Sequence, residues 1–551
     1  MPAAVAGVLA ASIVLRFATR SDLWLDEAVS VNIARLPLSE LRGALRVDGA
    51  PPLYYFLLHF WIRVFGEGDL AVRSMSGVVS VATLPAAYLA GRRVGGSRVG
   101  WFAVLLLAAS PYAIRYATEA RMYALIMFLV LWGYLVVRRA LEQPSFARLA
   151  VVTVIAALLL YTQYWSWYLI IVVGGIVIVA AWRASSIESR RAARAVAIAL
   201  AIGAIAYVPW LTTLSYQIGH TGTPWGEAVV PWSAMTAAFA SFVGVGTPQH
   251  AEAYWLLVPI VALPLLALFG RALDGHRIEL DLRTRPAVRW EVVVAFGTLV
   301  LGLVASYVGG VAFDGRYASV MFPLLILVSA FGITAFGSSE RRTTARRVSR
   351  RAVSRGPRRR RLRRPPEQEP EIARATERAG APAPRAEGSV RVGVVTFVVA
   401  LGLLGGFRNF DDNRTQAHQV ADVIRADAHP GDMVVYCPDQ LGPAADRLLR
   451  HDHRLAQQTF PDRRRPGRID WVDYADRVNA ADPAKFASAV FREAGNHTIW
   501  YVTSPGYHNL DGKCEAVERA LAGARPRSQT RVVADPLTFF ESEGLIEYDA
   551  G

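Results

Sequence analysis

Two residue types are scarce in this chain of 551 residues. It holds two cysteines, Cys437 and Cys514, both in its last quarter, so a single disulfide is the most it can form. It holds two lysines, Lys485 and Lys513, so nearly all of its basic charge is arginine. No internal repeat is visible, whereas many transporters are built from one. The first apolar run, Pro2 to Leu15, has no basic lead-in and no clear small-residue cleavage site, and is expected to be a retained span, not a signal peptide. Large apolar residues are nearly missing from Gly337 to Gly388, which is rich in Arg, Pro and Ala. That composition excludes a packed core and predicts a disordered cytoplasmic linker leaning on anionic lipid. Nothing in it resembles a folded nucleic-acid reader, so no nucleic-acid partner is expected.

Apolar residues make up 53% of the chain and come in long runs, the composition of an integral membrane protein. Spans are predicted at 2–18, 70–91, 98–113, 120–138, 147–163, 164–182, 194–214, 253–270, 290–312, 316–336 and 390–408, about eleven in all. The net charge of +15 collects in the connections Arg92 to Arg98, Arg138-Arg139, Arg183 to Arg194, Arg271 to Arg289 and Arg341 to Arg364. Every second connection is basic, so the positive-inside rule places these five in the cytoplasm. Pro51 to Gly66 does not fit as a span, because it is short, carries His59 and Arg63, and would invert every later loop. It is read as an interfacial helix on the outer face.

The expected organisation is therefore a transmembrane unit (1–336), the linker (337–389), a last transmembrane helix (390–410) and a C-terminal domain (411–551). In the last of these, helical periodicity over Gln416 to Ala428 precedes strand-like runs at Met433 to Cys437 and Thr498 to Val502 and a helix from Lys513 to Ala522. That alternation predicts a small α/β domain, outside by parity. Both cysteines lie in it, which fits a disulfide in an oxidising compartment or two buried thiols. The expected fold class is a polytopic α-helical membrane protein with a structured first outer loop and a small extracytoplasmic α/β domain.

Charge gathers on the outer side. Asp26 and Glu27 follow the first span, an expensive place for two carboxylates and so a functional candidate. Asp48 lies later in the same loop, Glu119 and Arg121 in the next, and Asp314, Arg316 and Tyr317 between late spans. Bland alternatives exist for some: Glu119 in a first helical turn suits the helix dipole, Arg316 can snorkel, and Tyr54, Tyr55, Trp165 and Trp167 can anchor an interface. Arg121, near a helix start, gains nothing from that dipole. Carboxylates among guanidiniums suit chemistry on a lipid-linked phosphate, since Arg grips phosphate with a planar fork and a carboxylate can take a proton from a hydroxyl. A phosphate leaves as a stable anion, so sugar transfer from a polyprenyl phosphate needs one base and cationic ligands, without the second acid of a glycosidase.

The motifs LWLDEAV (23–29), PPLYY (51–55), SPYAIRYATEARMYAL (110–125) and GRYASVMFP (315–323) resemble the C-type glycosyltransferase (GT-C) superfamily. The likeness is to its bacterial branch, related to protein O-mannosyltransferases and lipid A aminoarabinose transferases, and covers roughly the first 340 residues. The resemblance implies Asp26 as catalytic base with Glu27 orienting or binding the acceptor. It also implies Glu119, Arg121 and Arg316 near the donor phosphate, with Tyr317 packing or donating a hydrogen bond. Asp48, Tyr54 and Tyr55 are accessory or acceptor-side candidates. Relatives often carry a His, Glu or Lys directly before the two prolines, where this chain has Gly49-Ala50, and several have a His where it reads Tyr161-Thr162-Gln163-Tyr164. No cofactor is assigned, although Asp26, Asp48 and Glu119 offer oxygens for a divalent cation such as Mg or Mn. The expected activity is inverting transfer of a sugar, such as mannose or a pentose, from a polyprenyl-phosphate donor to a cell-envelope polysaccharide, lipoglycan or protein, on the outer face of a bacterial plasma membrane. The competing classes are a flippase for a lipid-linked saccharide, which would carry ionisable groups at mid-membrane, and a non-catalytic assembly subunit.

Overall fold

The computed structural model describes residues 2–222, 226–244, 251–272, 278–283, 287–336, 386–452, 454–505, 510 and 512–550. The expected linker lies outside the described residues as far as 385, and the Arg341 to Arg364 block with it. Helices dominate up to Asp411. Among the described residues five are long and apolar enough to cross a membrane: Asp69–Ala108, Tyr123–Glu142, Ser166–Arg183, Arg289–Val308 and Val390–Asp411. A bent pair supplies a sixth, and shorter apolar helices stand among them. This is a multi-pass membrane protein.

α1 (Pro2–Leu15) leads into α2 (Leu25–Ala34), α3 (Leu38–Asp48) and α4 (Leu53–Phe65). Gly49 ends α3 at φ +85°, a left-handed cap that favours glycine. On α4 the side chains of Phe56, Phe60 and Val64 are exposed while Tyr54, Tyr55, Leu58 and His59 are buried. That apolar outer stripe is the form expected of an interfacial helix. α5 (Asp69–Ala108) is two limbs joined at Gly95 and Gly96, the latter at φ +82°. The limbs touch closely, since a Cβ on Gly91 would lie 2.8 Å from the Val99 carbonyl oxygen. The predicted spans 70–91 and 98–113 therefore become one hairpin-like element, and the second stops early. Ser110 caps a new helix, α6 (Pro111–Ala117), through Ala113 N (3.2 Å), with Pro111 at its first position.

α7 (Tyr123–Glu142), α8 (Phe146–Thr162) and α9 (Ser166–Arg183) lie where spans were predicted. The span predicted at 194–214 is instead a pair, α10 (Ile187–Ile205) and α11 (Val208–His220), bent by 61°, because Pro209 lacks an N–H and restarts the helix. α12 (Pro231–Phe242) lies within the long loop that follows. α13 (Ala251–Phe269) ends in a two-stranded ribbon, β1 (Gly270–Ala272) with β2 (Ile278–Leu280). After α14 (Arg289–Val308), the span predicted at 316–336 is a 3-10 turn (Gly315–Val320) followed by α15 (Phe322–Gly332). Every residue of α15 is buried, so it is a core helix with no lipid-facing side. α16 (Ala386–Asp411) begins before the predicted span, using the last four residues assigned to the linker.

Beyond α16 the chain forms β3 (Asn413–Thr415), α17 (Ala417–Asp427), β4 (Met433–Cys437), β5 (Ala456–Thr459), β6 (Ile499–Thr503), β7 (Ser528–Val532), β8 (Phe539–Glu541) and β9 (Gly544–Tyr548). Five of these strands make a mixed sheet in the order β5-β4-β6-β9-β7, parallel over β5-β4-β6. All residues of β4 and β6 are buried, as central parallel strands covered on both faces require. Cys437 and Cys514 are joined as a disulfide. β8 leaves the sheet and pairs with β3 at the foot of α16, which brings it against the first loop.

Candidate active site

Stretches far apart in sequence converge at one end of the helices: the first turn of α2, the corner between α3 and α4, the segment joining α6 to α7, and the turn before α15. Asp26 Oδ2 accepts from Arg316 Nη1 at 2.5 Å and lies 3.9 Å from Arg121 Nη2. Asp314 sets Arg316 in place, accepting its backbone N–H (3.0 Å) and facing its Nε (3.4 Å). Arg121 Nη1 donates to Ser30 Oγ and to Tyr55 OH, both at 3.0 Å. Tyr55 OH in turn donates to Asp48 Oδ2 at 2.9 Å. Asp48, Tyr55, Arg121, Asp26 and Arg316 thus form one linked chain, in which carboxylates and guanidiniums alternate and the neutral Tyr55 hydroxyl bridges the first pair. Tyr54 sits beside it, its hydroxyl 3.2 Å from Ser76 Oγ, which donates to the Arg121 carbonyl. Tyr317 stacks with Trp165 (centroids 6.1 Å), and the Arg316 guanidinium is 5.8 Å from the Trp24 and Tyr317 rings.

Burial alone would raise the Asp26 carboxyl, but the Arg316 and Arg121 guanidiniums outweigh it and hold the group below its usual range. Asp48 goes the other way: burial raises it, and Arg121 with the Tyr55 hydrogen bond only partly offsets this. The Asp26 side chain keeps 20% of its surface exposed, so an incoming molecule can reach it.

Glu27, the next residue, has no exposed side-chain surface. Arg73 holds it in a fork, Nε to Oε1 at 2.8 Å and Nη2 to Oε2 at 2.5 Å, while Ala120 N donates to Oε1 at 2.8 Å. Arg414 Nη1 stands 3.6 Å from Oε2. Arg73 also donates to the carbonyls of Ser21 (2.6 Å) and Asp22 (2.9 Å), and Arg414 to Thr118 O and Oγ1, both at 2.8 Å. Glu27 therefore ties α2 to α5, to the 118–121 segment and to β3. Burial opposes its ionisation, and Arg73 and Arg414 more than compensate. Burial, with help from Arg115, lowers Arg414 to about 10. Glu119 is buried beside this knot with no hydrogen-bond partner on Oε1 among the described residues, and burial raises it against the pull of Arg414 and Arg115.

Arg73, Arg414 and Glu541 are absent from the residues singled out in the sequence. Arg73 reads as a snorkelling charge at a span start, and Arg414 as one more arginine after a span. Glu541, from β8, accepts from Leu25 N at 3.3 Å and so caps the helix that carries Asp26. Burial, together with the Asp26 and Glu27 charges, pushes it up to about 8. Its neighbour Phe540 meets Trp24 edge to face at 5.4 Å. The C-terminal domain is further fastened by Arg447 to Asp69 (2.9 Å), Arg450 to Glu67 (2.6 Å) and Asn32 to the Gly467 carbonyl (2.7 Å).

Among the described residues no three His, Cys, Asp or Glu side chains converge on one point. Asp26 and Asp48 are separated by the Arg121 guanidinium, so with Glu119 they do not form the oxygen cage that a divalent cation takes.

Residues 49–212 match the family model described as dolichyl-phosphate-mannose-protein mannosyltransferase. Among solved structures, the chain resembles ArnT from Cupriavidus metallidurans in the apo state, with a TM-score of 0.56 and 14% identity over 99% of this chain and 97% of that one. It also resembles the same protein bound to undecaprenyl phosphate, with a TM-score of 0.53 and 15% identity over 98% and 97%. No curated protein sequence matches the chain significantly. The likeness to these solved structures is one of overall fold and runs over nearly the whole of both chains.

Proposed function

We propose that this chain, which has the fold of the C-type membrane glycosyltransferases, moves a sugar from a polyprenyl-phosphate donor to a cell-envelope acceptor with inversion. The observation that carries this is the position of Asp26, reachable from outside and held between two arginines, Arg316 and Arg121. Two guanidiniums on one carboxylate make a phosphate-sized cationic seat that an anionic side chain fills at rest. The donor phosphate takes over these arginines and frees Asp26, whose proton affinity rises once its cations are shared. Asp26 then accepts the proton of the acceptor hydroxyl as that oxygen attacks the anomeric carbon. The bond from that carbon to the phosphate oxygen breaks, and the polyprenyl phosphate leaves as an anion. Attack from the face opposite the phosphate inverts the sugar.

Tyr55 and Asp48 hold Arg121 at its angle, Asp314 holds Arg316, and Tyr317 walls the seat. Glu27 acts through position: it anchors the turn that presents Asp26. Glu119, buried behind the seat, orients Arg414 and Arg115 by charge. The ArnT structure bound to undecaprenyl phosphate supports a polyprenyl phosphate as the lipid. The charged cluster lies at one end of the helices, which favours an enzyme over a flippase. By the alternation of basic connections that end, with the C-terminal domain, faces the outside of a bacterial plasma membrane.

The test is sugar transfer in membranes supplied with radiolabelled polyprenyl-phosphate sugars, native chain against Asp26→Asn. Loss of transfer with donor binding retained is expected. Equal transfer by both would remove Asp26 as the base.

A further inference from the structure

A second feature lies away from the Asp26 site and is independent of the chemistry proposed there. A cavity of about 240 Å³ opens between α7, α8, α9, α10 and α14. Its walls are aliphatic, with Val137, Ile155, Val173 and Val177 among them. The polar groups on its lining are Tyr134, Arg138, Trp290 and Glu291, and all four lie toward one end. Glu291 Oε1 accepts from Tyr134 OH at 2.8 Å and stands 3.7 Å from Arg138 Nη1. Arg138 thus has only a long pairing to Glu291 among the described residues, and 38% of its side chain is exposed. The same end of these helices carries Arg139, Arg183 and Arg289.

Water gains little along the aliphatic length of this space, because it would need two to four polar partners and those lie at one end only. Left empty, the walls forfeit dispersion contacts in proportion to the volume. In a bilayer the abundant molecule that fits an aliphatic slot with a cationic mouth is a lipid with a negative headgroup. We propose that this cavity binds one acyl chain of an anionic phospholipid, with the phosphate of its headgroup on Arg138. The guanidinium supplies the charge-assisted hydrogen bonds, and the Glu291–Tyr134 pair keeps Arg138 turned to the mouth. The far end of the cavity reaches Leu159 and Leu169, one helical turn from Gln163 and Trp165, so the bound chain also shores up the floor beneath the catalytic layer.

The experiment is lipid analysis of the purified full-length chain after extensive detergent washing, with emission of Trp290 as a second readout. The native protein is expected to retain a single phosphatidylglycerol or similar anionic lipid. Ile155→Trp, which fills the slot, is expected to retain roughly tenfold less. Arg138→Gln is expected to keep a lipid but lose preference for the anionic headgroup. In phosphatidylcholine vesicles doped with brominated-chain phosphatidylglycerol, the native chain is expected to show a quenched component, beyond that of its other exposed tryptophans, which Trp290→Phe lacks. Equal retention by native and Ile155→Trp would overturn the proposal, as would absence of Trp290 quenching, which stands even where Ile155→Trp fails to fold. Recovery of a polyprenyl phosphate in place of a phospholipid would also overturn it, and would make the slot the tail site of the donor.

Discussion

Asp26 and Glu27 are neighbours in the chain and share a helical turn, yet their surroundings differ in kind. Around Glu27 both oxygens accept hydrogen bonds, a second guanidinium stands close by, no surface is exposed, and the partners come from α5, the 118–121 segment and β3. Around Asp26 the partners are also arginines held by further groups, but one fifth of the side chain faces outward. Two carboxylates in sequence can thus separate into an anchor and a reacting group because a helix turns about 100° between them. The Glu27 side spends its charge on holding the fold together, and the Asp26 side keeps its charge available.

Asp26→Asn breaks this contrast most directly. Transfer is expected to fall by about 10²–10⁴-fold, the usual worth of a general base, with a smaller loss of thermal stability in detergent than a change at Glu27 brings, because Asp314, Ser30 and Tyr55 still hold the two arginines. If Glu27→Gln silenced transfer at normal stability and Asp26→Asn did not, the two roles would be reversed.

The anchor side is tested through stability. Removing one partner of a buried pair leaves an uncompensated charge, so Glu27→Leu or Arg73→Met should each cost about 3–5 kcal/mol. The double variant should recover most of that loss, because two apolar side chains leave no orphaned charge there. A double variant as unstable as either single one, in chemical unfolding, would mean that the pairing is not what the fold relies on.

A finer division concerns the arginines. Lysine keeps charge but loses the planar fork, so Arg316→Lys and Arg121→Lys are each expected to raise KM for the donor by roughly tenfold with a smaller change in kcat. Arg73→Lys should show its effect in unfolding and leave KM near normal. A KM change in Arg73→Lys of the same size would erase the distinction between the two sides.

The smallest effect is on pH dependence. Glu541 is raised to about 8 by burial and by the nearby carboxylates, from an unfolded value of about 4.3. A carboxyl raised in the folded state favours folding fully below its unfolded value, and that advantage is lost as pH rises through the folded one. Thermal stability should therefore decline between about pH 4 and pH 8, and Glu541→Gln should flatten that decline. An unchanged slope in the variant would exclude Glu541 as its source.

Much of the architecture was legible in the residue pattern. Periodicity and turn residues located β4, β6, α7, α8 and α9 to within a few residues, since apolar runs and the α/β alternation are local signals. The boundaries that moved did so at Ser110-Pro111 and at Pro209, where a proline restarts a helix inside an apolar run and hydropathy alone sees no break. α15 lies inside a predicted span yet is buried on every side, because composition cannot separate lipid contact from protein contact. At the site, Asp26, Arg121 and Arg316 do come together, with Asp48 and Tyr55 linked to them.

Sequence alone determined the membrane class, most helix positions, the α/β character of the C-terminal domain and the cluster of charge at one side. These follow from solvation and backbone preference, which act residue by residue. Tertiary structure decided which of two adjacent carboxylates is sealed and which is reachable, and it brought Arg73, Arg414 and Glu541 to them from 46, 387 and 515 positions away. Pairings over such distances are set by packing of distant elements, and no local pattern of side chains encodes them.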